Sequence, residues 1–204
     1  MPPPPNKTVL FIHGVGEHDS HFSVDWASAL RLDPDKWNVH FLLWEDIVES
    51  VHKSRTVVGD TLGDLVLYLL CEANVRDKIR NRAYQVAQQF DRNRPVYIVG
   101  HSWGSVIAYE LLHSGQWPGI TVDLLLTIGS PLWMEQVVTA SMGWPTMVRP
   151  QHVHRWVNVH NLLDGVAGHV ECLGVENFRR LWFFQRHDAA TYLRTSVARE
   201  LFRG

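Results

Sequence analysis

Five short apolar runs divide the chain, and each has the composition of a buried β-strand. The first, residues 8–12, is continuous and partly β-branched, and it stops at the pair His13-Gly14. A strand covered on both faces has such an unbroken apolar run. Similar runs follow at residues 39–44, 96–99, 122–128 and, with alternation, 156–160. The pattern therefore predicts five strands.

Helical spacing of apolar residues separates these runs. One stripe follows Asp60 and contains Leu62, Leu65, Val66, Leu69 and Leu70. A second follows Asn74 and contains Val75, Ile79, Ala83, Val86, Ala87 and Phe90. Asp60 and Asn74 stand at N-cap positions, and Asp188 is a further cap. Two more helices are predicted, over residues 103–113 and 189–202.

Strands and helices thus alternate, which predicts an α/β fold: a mostly parallel central sheet flanked by helices. Ligands bind such sheets at the carboxyl ends of the strands. At 204 residues the chain is expected to form a single domain, 1–204, with a proline-rich tail over 1–6. Residues 46–94 form a predicted helical insertion, which either packs as an ordinary layer or shades the cleft as a lid.

Charge and composition narrow the function. With 19 basic and 21 acidic residues the formal net charge is −2, so no global field gathers nucleic acid or anionic lipid. No apolar run approaches the roughly 20 residues of a transmembrane helix, and the first residues do not resemble a secretory signal. Two cysteines, Cys71 and Cys172, form no disulfide framework. A cytoplasmic protein is expected, and its oligomeric state stays open.

The most informative motif is Gly100-His101-Ser102-Trp103-Gly104, which lies between a predicted strand and a predicted helix. A Gly-x-Ser-x-Gly segment in this context forms a strained turn that raises the serine hydroxyl above the sheet, and the glycines avoid backbone collisions. Ser102 is the predicted nucleophile. The alternative is an ordinary turn in which Ser102 caps the helix. Ser105 is a poorer candidate for the nucleophile because it lies one turn inside the predicted helix.

A glycine-rich loop ends the first strand at His13-Gly14-Val15-Gly16. Attack by a serine creates negative charge on a carbonyl oxygen, which two backbone N–H groups can stabilise. We expect one donor from Trp103, which follows the nucleophile, and the other from Val15, with Gly16 as reserve. Without the serine motif, this loop would be only a glycine-rich turn.

These motifs, with the turn Gly129-Ser130-Pro131-Leu132 and their order along the chain, resemble the α/β-hydrolase superfamily. Three segments carry a closer resemblance: Gly59-Asp60 with Tyr68, Gly100-His101-Ser102, and Ser105-Val106-Ile107-Ala108-Tyr109. With them the chain looks like lipase-type serine hydrolases related to intracellular phospholipases. Trp103 departs from the leucine that is usual at its position in that family.

In such hydrolases the triad follows the order serine, acid, histidine. Asp164 comes shortly after the last predicted strand and resembles the family's acid loop; a plain turn aspartate is the alternative. Asp123 and Asp188 are less well placed. His187 is the predicted base, and it looks like the family's late histidine followed at a short interval by Tyr192. His169 is its rival.

Other side chains extend the predicted site. We expect substrate to be bound by His13, Gly14, Trp133 and Met134. Further candidates for the lining of an apolar cleft are Trp44, Trp103, Leu132 and Trp144. Core packing is the alternative for each aromatic side chain. Several histidines lie close in sequence, His13, His18 and His21 among them, but no metal-binding pattern is complete. No metal and no cofactor are expected.

The residues and the resemblance together predict a cofactor-independent serine esterase with a small or lipid-like ester substrate. It would cleave carboxylic esters through an acyl-enzyme intermediate, with Ser102, Asp164 and His187 as the triad. Thioesterase, amidase or acyltransferase activity with the same triad is the first alternative. The second is a noncatalytic module on this fold that binds a ligand or a protein.

Overall fold

The computed structural model describes residues 6–15, 19–52, 73–113, 119–134 and 147–203, with single positions 117, 137, 139 and 143. Within these ranges one sheet of six strands forms the centre of the molecule. The strands are β1 Lys7–Ile12, β2 Trp37–Leu42, β3 Val96–His101, β4 Val122–Ile128, β5 Val153–Asn161 and β6 Val175–Arg180. Each of the five predicted strands is present: β4 has the predicted bounds, and the other four have shifted ends.

All neighbouring strands pair in parallel, in the order β2-β1-β3-β4-β5-β6. The predicted α/β class with a parallel sheet is therefore confirmed. The edge strand β6 was not predicted because its sequence, Val-Glu-Asn-Phe-Arg-Arg, has no apolar run. An edge strand has one free side, so burial does not impose a hydrophobic sequence on it.

Helices pack on both faces of this sheet. They are α1 His21–Leu30, α2 Glu45–His52, α3 Ala73–Ala87, α4 Trp103–His113, α5 Ala189–Leu193 and α6 Ser196–Leu201. The predicted final helix over 189–202 is wrong as one element, because the Thr195 side chain accepts the Ala198 N–H and begins a new helix. Asp188 caps α5 as predicted, whereas Asn74 lies inside α3.

Two apolar layers form the core. Side chains of α3 and α4 pack on one face of the sheet, with Ile79 and Tyr109 among them. Side chains of α1, α5 and α6 pack on the other, with Trp26, Tyr192 and Ala198 among them. Coverage on both faces explains why the central strands are apolar at successive positions.

The described part of the predicted 46–94 insertion includes a layer helix. In α3 the stripe Val75, Ile79, Ala83 and Ala87 is buried in the core. Arg80 lies 3.4 Å from the Glu110 carboxylate of α4, which adds a polar contact between the two helices. Three predicted features lie outside the described residues: the stripe from Leu62 to Leu70, its cap Asp60, and residues 1–5 of the tail. The lid and the tail therefore stay predictions.

None of the helices in the described ranges is both long and apolar enough to cross a bilayer.

Candidate active site

Ser102 occupies a strained turn between β3 and α4. Its φ is +52°, in the left-handed region that non-glycine residues rarely adopt. The Ser102 N–H donates to the Ile128 carbonyl at the end of β4, at 3.0 Å, and the Ser102 carbonyl accepts from the N–H and hydroxyl of Ser105. These hydrogen bonds to the Ser102 backbone hold the strained conformation in place.

The glycines on either side of Ser102 make this turn sterically feasible. A Cβ at Gly100 would lie 2.6 Å from the Cα of Ser105, and one at Gly104 would lie 2.1 Å from the Ile12 carbonyl oxygen. Both distances are well inside van der Waals contact with backbone that cannot swing away. The glycines therefore allow α4 to start directly against the ends of β1 and β3.

The loop after β1 lies against Ser102. A Cβ at Gly14 would lie 2.7 Å from the Ser102 Cβ and 3.3 Å from its Oγ. Val15, the next residue, is half-buried, and Trp103 is the first residue of α4, where N–H groups have no partner within the helix. Gly16 lies outside the described residues. The two predicted donors thus come from the segments that border Ser102.

His187 lies between Ser102 and Asp164. Its Nε2 is 2.8 Å from the Ser102 Oγ, and its Nδ1 is 2.7 Å from Asp164 Oδ2. An ionised carboxylate only accepts hydrogen bonds, so Nδ1 carries the proton and Nε2 accepts from the serine hydroxyl. Ser102 and Asp164 are buried, whereas the His187 side chain is 36% exposed. The histidine is thus the member of this group that faces solvent.

Asp164 is held by two further donors. The Tyr192 hydroxyl donates to Oδ2 at 2.6 Å, and the Val166 N–H donates to Oδ1 at 3.0 Å. Burial raises the pKa of the Asp164 carboxyl, but the hydrogen bonds from His187, Tyr192 and Val166 outweigh burial and lower the pKa overall. Asp164 is therefore ionised at neutral pH and fixes the orientation of His187.

His101 supports the loop that carries His187. Its Nε2–H donates to the His187 carbonyl at 3.0 Å, and the two imidazole rings lie 4.8 Å apart. Burial, with a smaller effect of the neighbouring His187, lowers the pKa of His101 to about 3, so this imidazole is neutral at physiological pH. Sequence reasoning gave His101 and Tyr192 no positioning role, although both stood inside the quoted motifs.

The rival candidates lie elsewhere. Ser105 is fully buried and shares a 2.6 Å hydrogen bond with the Ser130 hydroxyl, and His169 is exposed with its ring 6.2 Å from that of His160. Asp123 accepts the Val96 N–H at the amino end of β3, and Asp188 caps α5. Within Ser102, Ser105 donates only to the carbonyl, and in the described part of the chain no side chain of these four hydrogen-bonds to the Ser102 Oγ.

The His13 side chain, which the sequence predicts to bind substrate, lies in the core. Its imidazole is fully buried, stacks on Trp44 at 5.5 Å and meets the edge of Phe22. Trp44, a candidate for the cleft, is itself core and donates to the His13 carbonyl. An aromatic cluster therefore packs against the β1 loop, and substrate binding by His13 stays a prediction.

Trp133 lies in an open cleft beside the acid loop. It is 46% exposed, and its indole N–H donates to the Val166 carbonyl at 2.8 Å. The cleft, of about 470 Å³, is also lined by His160, Leu162, His169, Asn177 and Arg179 among others. Met134 is half-buried and packs on the core. Substrate binding by Trp133 and Met134 stays a prediction.

Within the described ranges no three His, Cys, Asp or Glu side chains are grouped so as to hold a metal ion.

Several solved structures resemble this chain. XC6422 from Xanthomonas campestris, an α/β serine hydrolase without a lid, is 13% identical, with a TM-score of 0.50 over 88% of this chain and 72% of its own. EstE5, soaked with p-nitrophenyl butyrate, is 12% identical, with a TM-score of 0.52 over 97% and 74%. The NocB thioesterase domain, in covalent complex with a fluorophosphonate nocardicin G analogue, is 14% identical, with a TM-score of 0.51 over 98% and 92%.

No protein-family model and no curated protein matches the chain. At 12–14% identity, likeness to solved structures speaks for the fold. The parallel sheet and the three structural matches lead to one conclusion: the chain has an α/β-hydrolase-like fold.

Proposed function

We propose that the protein is a serine hydrolase that cleaves carboxylic esters through an acyl-enzyme intermediate. One observation carries the proposal: His187 bridges the Ser102 hydroxyl and the Asp164 carboxylate with bonds of 2.8 and 2.7 Å. A serine hydroxyl is a weak nucleophile at neutral pH, and an oriented histidine base is what activates it. Tyr192 and His101 take part as positioning residues.

The first half-reaction forms the acyl-enzyme. His187 Nε2 accepts the hydroxyl proton as Ser102 Oγ attacks the ester carbonyl, and the imidazolium that results is stabilised by Asp164. The negative charge on the former carbonyl oxygen is held by the N–H groups of Val15 and Trp103. The intermediate then expels the alcohol, which takes the proton from His187, and Ser102 is left acylated.

Water completes the cycle. His187 accepts a proton from the incoming water, the resulting hydroxide attacks the acyl carbonyl, and the second tetrahedral intermediate releases the carboxylic acid. The proton returns from His187 to Ser102 Oγ. The exposure of the imidazole supports this step, since water must approach it. Gly14 supports the oxyanion assignment because its lack of a side chain brings the β1 loop against Ser102.

The same residues fit other acyl groups. A thioester or an amide would undergo the same two half-reactions, and the NocB thioesterase domain among the structural matches has the same fold. A panel of ester, thioester and amide substrates with matched acyl chains distinguishes these activities. A noncatalytic module is the less favoured function, because ligand binding alone has no need of a hydrogen-bonded serine, histidine and aspartate.

The decisive test is covalent labelling. We expect a fluorophosphonate probe to add one equivalent to the intact protein by mass spectrometry, and Ser102→Ala to abolish the addition. Ser20→Ala is the control, since Ser20 is exposed and its side chain makes no capping bond with α1. Full labelling and ester turnover in Ser102→Ala would refute the proposed function.

A further inference from the structure

The loop that leads into His187 presents bare aromatic side chains to solvent. Phe183 is 70% exposed, Phe184 is 85% exposed, and Leu181 is 58% exposed. Leu162, 52% exposed, lies beside the start of this loop, since its N–H donates to the Arg180 carbonyl at 3.0 Å. Single exposed apolar residues are ordinary, but a group of them around one site marks an interaction surface.

The same loop is firmly attached at its base. Trp182 and Asn161 exchange two hydrogen bonds of 3.2 Å, and the Trp182 ring packs edge-on against Tyr192 at 4.8 Å. Gln185 has a φ of +46°, and the Trp182 indole N–H donates to its carbonyl, so the chain turns back toward His187. Phe183 and Phe184 therefore project outward from an anchored turn.

Basic side chains border this apolar group. Arg179 and Arg186 are exposed and Arg180 is half-buried, and the segment from 179 to 187 contains no aspartate or glutamate. The net charge of −2 excludes a global attraction to anionic surfaces, but here positive charge is concentrated within one loop. We name this surface the rim, defined as Leu162, Arg179, Leu181, Phe183, Phe184 and Arg186.

We propose that the rim docks the protein onto an anionic lipid bilayer. Aromatic and aliphatic side chains enter the boundary between headgroups and acyl chains, while arginines at the same level bind lipid phosphates. Charge argues against a second copy of this chain as the occupant, since a two-fold contact would place the arginines of one rim against those of the other. The docked loop carries His187, so the bilayer surface adjoins the candidate active site.

Sedimentation with vesicles tests the rim without any use of catalysis. We expect the wild-type protein and Ser102→Ala to bind vesicles of phosphatidylcholine with phosphatidylglycerol equally well. Binding to phosphatidylcholine alone should be about tenfold weaker, and added salt should weaken binding to the anionic vesicles. The double variant Phe183→Ser/Phe184→Ser should lose at least about tenfold in affinity, and Arg179→Gln/Arg186→Gln should remove the preference for anionic lipid.

Matched controls separate docking from folding. Leu173→Ser and Val24→Ser remove exposed apolar side chains elsewhere, 96% and 64% exposed, and should leave vesicle binding unchanged. Fluorophosphonate labelling of the rim variants reports the proposed function independently, so loss of one property is distinguishable from loss of the other. The proposal would be overturned if the wild-type protein failed to bind anionic vesicles, or if the rim variants bound them as well as the wild type does. So would a dimer, detected by light scattering, that the double phenylalanine variant dissociates.

Discussion

The Tyr192 hydroxyl donates a 2.6 Å hydrogen bond to the same Asp164 oxygen that accepts the His187 Nδ1–H. Tyr192 is fully buried, and its oxygen also accepts the Asn161 N–H at 3.1 Å. Burial and the neighbouring carboxylate raise the pKa of the Tyr192 phenol, so it stays a donor at every pH at which the fold survives. The carboxylate behind His187 is thereby fixed from the far side by α5.

Replacing Tyr192 with phenylalanine tests this bond. Tyr192→Phe removes a donor to an ionised group, which is worth about 1.5–3 kcal/mol. We expect kcat/KM to fall about tenfold and the acid limb of its pH profile to move to higher pH, since the Tyr192 hydrogen bond helps to lower the pKa of Asp164 and its loss raises that pKa. The pH dependence of ester hydrolysis measures both effects.

Tyr109→Phe is the matched control for that variant. Tyr109 is equally buried, and its hydroxyl both donates to the Val148 carbonyl and accepts the Val148 N–H. It therefore loses the same number of hydrogen bonds away from Asp164. We expect a lower melting temperature with an unchanged pH profile. Identical profiles for the two variants would assign Tyr192 a structural role only.

Gly14→Ala tests the close approach of the β1 loop to Ser102. The new methyl would lie 2.7 Å from the Ser102 Cβ, so either the loop or the nucleophile must shift. A misplacement of about 1 Å between reacting groups costs about a hundredfold in rate, and we expect a loss of that order in kcat. Gly165→Ala is the control, because a Cβ there meets open space. Steady-state kinetics with equal losses in both variants would contradict the steric argument.

The low pKa of His101 predicts a pH-dependent stability. The unfolded chain binds a proton at His101 near pH 6.5, whereas the folded protein binds one only near pH 3. The free energy of unfolding should therefore decrease as the pH falls from about 6.5 toward 3. His101→Phe should flatten this dependence, which urea titrations at pH 7.0 and 5.0 measure. Curves that stay parallel to wild type would show that His101 does not resist protonation.

Asp164→Asn and His187→Ala test the proposed acid-base pair. General acid-base catalysis is worth about 10²–10⁴ in rate, so we expect losses of that order in kcat for ester hydrolysis. His169→Ala is the control, since the exposed His169 lies against His160 rather than Ser102. Should His169→Ala lose as much activity as His187→Ala, the assignment of the base would be wrong.

Short stretches of sequence predicted part of this fold. Continuous apolar runs specify strands covered on both faces, and the central strands have such runs. The polar β6 carries no such signal because an edge strand is only partly covered. In the same way the spacing of Gly100, Ser102 and Gly104 indicated a strained turn, since only residues without a Cβ tolerate its contacts.

The sequence by itself determined the sheet class, the turn at Ser102 and a short set of candidate acids and bases. Only the tertiary structure decided which of them meet: it places His187, and not His169, beside Ser102, and it sets Tyr192 and His101 behind the pair. It also buried His13, which the motif had suggested for substrate. The physical reason is the sequence separation of the interacting residues. Strands and turns follow from neighbouring residues, whereas a hydrogen bond between residues far apart in the sequence depends on how all the layers pack.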